Sequence, residues 1–405
     1  MSVKALEQTS VGNLFGGMLL VAGCCIGAGM LALPVLAGLS GFFPSLLVLL
    51  AAWAFMTFTA FLLVEINGWF SGRVNLLSMA EKSLGPWGKR VCWLSYLFLF
   101  YALLVAYAAA SGSIISGVMV SVFGLALPEG AASLLFVLFF GFLIYLGTRP
   151  IDLANRVLMA GLIVCYLAMI SLGLPKIQLS QLTYAEPGLA FLSLPVLVIS
   201  FGFQNIIPSL TSYMRGDFQR VRISILGGSL IALAIYLLWT MFVLGIVPAS
   251  MIQTAYENGE EATHALQKIL GSSVIGVFAQ GFAFFAIVTS FLAQGLSLVH
   301  FIADGLKISS ESERANILLS LCAIAPPALL AVIYPDAFFK AVNFAGGICA
   351  VILFGLLPIS MSWVGRYRKN IFSAYRVSGG KTSLCIAFIF SLLVIFGELG
   401  RIFNF

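Results

Sequence analysis

Apolar residues in this chain do not alternate with polar ones at the spacing of a surface helix or strand. They run in long blocks separated by short junctions rich in glycine, proline and charge. A helix needs about 20 mostly apolar residues to cross the hydrocarbon core of a bilayer. This criterion predicts spans over Leu14–Leu39, Phe42–Ile66, Val91–Phe123, Ala131–Gly147, Val157–Leu174, Leu189–Tyr213, Ile223–Val247, Val274–Ala303, Ile317–Ile333, Ala337–Trp363 and Thr382–Leu399. The fold class is therefore an all-α integral membrane protein with eleven transmembrane helices. The longest external connector, Pro248–Ser273, carries Glu257, Glu260, Glu261 and His264 and predicts a short surface helix from Glu261 to Leu270. The start, MSVKALEQTS, has only Lys4 before Glu7 and no small-residue cleavage pattern after the first apolar block, so that block reads as a retained span.

Two spans are interrupted. The first contains GCCIGAGMLALP, Gly23 to Pro34, and the sixth contains SFGFQNIIPS, Ser200 to Ser209, with Gly202, Gln204, Asn205 and Pro208 at mid-membrane. Glycine costs roughly 1 kcal/mol per helical position and proline about 3, so both stretches favour unwinding. The breaks lie five spans apart, and an odd offset reverses chain direction. Two five-span units, residues 11–174 and 189–363, are then expected as an inverted repeat, with 382–399 as an added helix. Glycine- and proline-interrupted spans at matching positions of two such halves point to a midplane substrate site. The alternative is a glycine-lined packing face, since small residues let membrane helices approach closely.

The unwound turns supply the chemistry. Freed N–H and C=O groups cost several kcal/mol each in hydrocarbon unless satisfied, and a zwitterion can satisfy both. Its carboxylate would meet the N–H groups at Gly27, Ala28 and Gly29, where a half-helix begins, and its ammonium a freed carbonyl such as that of Ser200. Phe201 and Phe203 flank the second break, and Tyr101 and Tyr107 lie mid-way along the third span. With 35 phenylalanines in the chain, only position singles any of these out. Intramembrane ionisable residues are scarce: Glu65 and His300 lie near the inner ends of spans two and eight, where snorkelling or an interfacial hydrogen bond is favoured over a relay role. Thr289 and Ser290 place two hydroxyls side by side in the eighth span, where such groups often bond their own helix.

Composition agrees with the blocks: 61% of the 405 residues are hydrophobic and 9% charged, against about a quarter charged in soluble domains. Of the 21 Lys and Arg residues, all but Lys176, Lys268, Lys340 and Arg401 fall on the side of the N-terminus. The positive-inside rule then makes the N-terminus cytoplasmic and the C-terminus external. The charges form no basic cluster interleaved with aromatics in a soluble segment, so nucleic acid is not an expected partner. The seven cysteines, Cys24, Cys25, Cys92, Cys165, Cys322, Cys349 and Cys385, show no metal or disulfide spacing. With two histidines, no HExxH and no buried carboxylate pair, an intramembrane enzyme is disfavoured. A channel is disfavoured because no filter motif or charged pore stripe appears. Membrane lipids and a small amino acid are the implied partners; no obligate protein partner is evident.

Four stretches, VAGCCIGAGMLALP, SFGFQNIIPSLTSYM, VTSFLAQGLSL and the late YRVSGG loop, together resemble the bacterial hydroxy and aromatic amino acid permeases, most of all the tyrosine-specific branch. The similarity runs over essentially the whole chain. It implies the five-plus-five inverted repeat of the amino acid, polyamine and organocation transporters, and import across the bacterial inner membrane by cation symport, typically driven by protons. It also implies substrate contacts at Gly27, Ala28, Gly29 and around Ser200, Phe201, Gly202 and Phe203, with Gln204 beside them. Sodium-coupled relatives on this fold hold an ion at positions matched here by Gly23, Ile26, Ala286, Thr289 and Ser290, which makes sodium the alternative coupling ion. Two departures stand out: Cys24 and Cys25 occupy Thr-like positions, and Gln204, which cannot titrate, stands where a histidine is common. Tryptophan, phenylalanine or a hydroxy amino acid are the alternative substrates, and the aromatic flanks disfavour serine.

Overall fold

The computed structural model describes residues 13–70, 74–270, 274–306, 308, 313–372 and 375–403. In chain order the α-helices are α1 (Leu14–Cys25), α2 (Gly29–Gly38), α3 (Phe42–Asn67), α4 (Leu76–Leu84), α5 (Pro86–Phe123), α6 (Glu129–Leu146), α7 (Thr148–Gly173), α8 (Leu194–Ser200), α9 (Ile207–Tyr213), α10 (Phe218–Ile246), α11 (Ala249–Glu257), α12 (Ala262–Leu270), α13 (Val274–Leu306), α14 (Glu313–Ile333), α15 (Phe338–Phe344), α16 (Leu357–Tyr367) and α17 (Gly380–Phe403). Among the described residues ten helical stretches are long and apolar enough to cross a membrane, and α1 with α2, bent by 62°, makes an eleventh. Lys4, Arg73 and Lys307, which enter the charge partition, lie outside the described residues.

The predicted spans all appear, with shifted ends. The fifth starts at Thr148 rather than Val157, because Gly147 supplies the positive φ of 92° that turns the chain into α7. The tenth is not one regular helix: a π-helical stretch, Ala345–Leu356, joins α15 to α16. A side chain at Gly346 would sit 1.8 Å from the Pro195 carbonyl oxygen, so glycine lets this stretch press against the start of α8. The predicted connector helix is present as α12. It is not a solvated surface element, since Ala262, Thr263, Ala265 and Leu266 are buried and it packs with α11 on α2.

Glu65 departs from the expectation of a snorkelling or interfacial group. It is buried at the end of α3 and paired with Arg366 of α16, a residue that the charge partition places on the cytoplasmic side. Arg366 Nε donates to Glu65 Oε1 at 2.7 Å, and the Val377 N–H donates to Glu65 Oε2 at 2.8 Å. The second break matches the first: α8 stops at Ser200, a turn and a short 3₁₀ stretch follow, and α9 resumes at Ile207.

Candidate functional site

The two breaks meet around a cavity of about 380 Å³. Gly23 to Gly29 form one wall, and Ile199, Ser200, Gly202 and Asn205 another. Tyr96, Leu99, Phe100, Leu103 and Tyr107 come from α5, Asn155 and Met159 from α7, Thr289, Ser290, Ala293, Gln294 and Ser297 from α13, and Phe354 from the π-helical stretch. The contribution of α7 comes from its first half, that of α5 runs from its first half to Tyr107 just past its middle, and that of α13 runs from its middle into its second half. The cavity therefore extends from the breaks toward the end of the bundle where α1, α5 and α7 begin. On the other side of the breaks, Trp239 packs against Tyr166, Phe242 and Phe282, with ring centroids 5.4 to 6.5 Å apart.

Hydrogen bonding at the first break is uneven. The Ile26 N–H still donates to Ala22 O, and the Ala28 N–H donates to Ser290 Oγ at 3.0 Å. The N–H groups of Gly27 and Gly29 reach no acceptor among the described residues. Both glycines line the cavity, and a Cβ would crowd a neighbour at each, lying 3.1 Å from Ser290 Oγ at Gly27 and 3.2 Å from Ser200 Oγ at Gly29. Two N–H groups, rather than the three expected, are thus open to an anion at the N-terminus of α2.

The carbonyls divide similarly. Those of Gly23 and Ile26 accept no bond among the described residues, whereas that of Cys25 accepts from the Tyr236 hydroxyl at 2.5 Å. The same hydroxyl reaches Ser200 O at 2.8 Å, so the carbonyl expected to be free for an ammonium already has a partner. Trp239, one turn further along α10, donates its Nε1–H to Met30 O at 2.9 Å.

Of the residues singled out from sequence, Gly23, Ile26, Gly27, Ala28, Gly29, Tyr107, Ser200, Gly202, Thr289 and Ser290 come together at the cavity. Phe201, Phe203 and Gln204 do not line it. In this turn Gly202 faces the cavity, and its neighbours turn away from it: Phe201 stands edge-on to Tyr236 at 5.1 Å, and Phe203 is buried in the core. Gln204 Nε2 donates to Met56 O at 3.1 Å, which makes this side chain a tie to α3. Ala286 is fully buried behind the wall. Thr289 donates its proton back to Phe285 O and Ala286 O. Tyr101 points elsewhere, donating to Cys322 O. The aromatic walls Tyr96, Phe100 and Phe354 and the tie Tyr236 were not singled out. Their only sequence signal is an aromatic residue on an apolar helix, shared with dozens of others.

A multi-span bundle in which two helices break beside one part-aromatic, part-backbone cavity defines the class: a membrane carrier of the broken-helix type. A comparison with known families makes the class specific. The chain belongs to the tryptophan/tyrosine permease family, whose model matches residues 11–397. It is 35% identical to "Tyrosine-specific transport system 1" of Haemophilus influenzae over 94% of each chain, and 30% identical to that organism's "Tryptophan-specific transport protein" over 96% of each. Among solved structures it resembles MhsT in complex with L-phenylalanine, with a TM-score of 0.62, 15% identity and coverage of 94% of this chain and 98% of that one. At that identity the likeness establishes the shared transporter fold. Membership of the family makes this protein an amino-acid permease and not an enzyme.

Proposed function

We propose that this permease imports an aromatic amino acid, with tyrosine the preferred substrate, across the bacterial inner membrane by proton symport. The observation that carries the reading is the cavity itself: open N–H groups at Gly27 and Gly29 face a space walled by Tyr96, Phe100, Tyr107 and Phe354. The glycine N–H groups take the carboxylate, and the aromatic walls take the side-chain ring. Asn205, Gln294 and Ser297 also line the cavity and offer partners to a phenol hydroxyl. A site that hydrogen-bonds a hydroxyl discriminates strongly against the analogue lacking it, which favours tyrosine over phenylalanine. The names of these two relatives support tyrosine and tryptophan as the substrate pair.

In the same reading the N-terminus is cytoplasmic, the C-terminus is external, and the cavity opens inward. The repeat comprises 11–174 and 189–363, with 382–399 added. Short helices in the equivalent connectors, α4 after the second span and α11 with α12 after the seventh, support that division. Sodium is the alternative driver. Gly23 and Ile26, whose carbonyls accept no bond among the described residues, line the same cavity as Thr289 and Ser290, and Thr289, by donating backward, keeps lone pairs for a cation.

Uptake of radiolabelled tyrosine into proteoliposomes tests the reading. An imposed inward proton gradient should drive accumulation, unlabelled tyrosine and tryptophan should compete, and serine should not. Accumulation under a sodium gradient alone would replace the proton by sodium, and competition by serine but not tryptophan would refute the aromatic assignment.

A further inference from the structure

In an unbroken helix the Cys25 carbonyl would accept from the Gly29 N–H and the Ser200 carbonyl from the Gln204 N–H. Both breaks remove those donors. A buried carbonyl left unpaired is costly, yet these two are not left so. The Tyr236 hydroxyl, fully buried on α10, lies 2.5 Å from Cys25 O and 2.8 Å from Ser200 O and shares its one proton between them. One side chain on a third helix thus replaces a lost helical donor in each half of the molecule.

We propose that Tyr236 is a positioning residue for transport, whose hydroxyl ties the unwound segment of the first span to that of the sixth and sets their spacing at the substrate site. This rests on the proposed substrate site at the breaks. Tyr236 does not line the cavity, so it acts through the two backbones and not by touching substrate. Its ring is held edge-on by Phe201 at 5.1 Å, and Trp239, three residues on, fixes the other side of the first break at Met30 O. The face of α10 carrying both residues therefore sets where α1 ends and where α2 begins. Neither unwound segment can move independently without giving up the shared bond.

Tyr236→Phe keeps the ring and its contact with Phe201 and deletes the hydroxyl. In the purified protein, the Kd for tyrosine should rise about tenfold. Cys25, buried at the end of α1, should react faster with a thiol reagent once that end is released. A role in packing alone would lower yield and thermal midpoint without moving the Kd of the folded protein. Kd and Cys25 reactivity both within about twofold of the parent would overturn the proposal. If Tyr236→Phe does not insert, ring-fluorinated tyrosine at 236 keeps the shape and strengthens the O–H donor. Tighter binding then supports the tie, and unchanged binding overturns it. Should the parent bind no aromatic amino acid, the proposed function fails instead, and Cys25 reactivity alone decides the tie.

Discussion

Glu65 and Arg366, 301 residues apart in sequence, form a two-point charge pair in the interior, with side chains 1% and 2% exposed. The pair joins the end of α3 to the end of α16, and the Val377 N–H and C=O complete it, so the segment leading to α17 is held as well. Removing one member of such a pair strands the other in a site that cannot hydrate it, at a cost of about 3–5 kcal/mol. Arg366→Met should therefore lower the thermal midpoint sharply. Replacing both members, as in Glu65→Gln with Arg366→Met, should recover much of the loss. Equal midpoints for the single and double variants would show that the pair is not coupled.

At the first break, Gly29→Val should abolish tyrosine binding while the protein still inserts. The added Cβ would lie 3.2 Å from Ser200 Oγ, and its two methyl groups would fill the space in front of the open N–H. Tyrosine amide, which lacks the carboxylate, should compete poorly against the parent for the same reason. Binding by Gly29→Val within a few-fold of the parent would remove this N–H group from the site.

The breaks were legible because glycine and proline weaken a helix and here they cluster: Gly23, Gly27, Gly29 and Pro34 fall within twelve residues of the first span, and Gly202 and Pro208 within seven of the sixth. The spans were legible because the bilayer demands long apolar blocks. What was not legible depends on which way a side chain turns. Phe201 and Phe203 flank the second break in sequence, yet their positions on either side of Gly202 aim them into the core. Tyr236 reads as one more aromatic residue in an apolar span, and only three-dimensional proximity to two carbonyls gives it a role. Glu65 and Arg366 sit near helix ends that sequence marks as wet, and no local pattern brings them together.

The connector before α13 should respond to pH. Burial of Glu261 raises its carboxyl above the ordinary value of 4.5, against the pull of Thr263, His264 and their N–H groups. A raised carboxyl favours the protonated folded state. The stabilising contribution is thus full below 4.5 and is lost as pH rises through the raised value. The midpoint of local unfolding, followed by hydrogen exchange across α12, should fall as pH rises through that window. Glu261→Gln keeps an acceptor for Thr263 and should flatten the profile; a profile identical to the parent's would assign the dependence to another group.

Pro34 and Trp239 should be energetically coupled. Proline has no N–H, so the carbonyl four residues before it, Met30 O, loses its helical donor. Trp239 Nε1 supplies a replacement at 2.9 Å. Trp239→Phe in the parent should therefore cost the lost ring contacts with Tyr166, Phe242 and Phe282 plus about 1–3 kcal/mol for the stranded carbonyl. Pro34→Ala restores an N–H at position 34 and lets Met30 O bond within α2. In that background Trp239→Phe should cost only the ring contacts, because the carbonyl is already satisfied. The difference between the two backgrounds isolates the hydrogen bond, since the change in ring packing is common to both. Thermal unfolding of the four proteins gives the coupling directly, and equal losses in both backgrounds would mean that Trp239 serves α2 through packing alone.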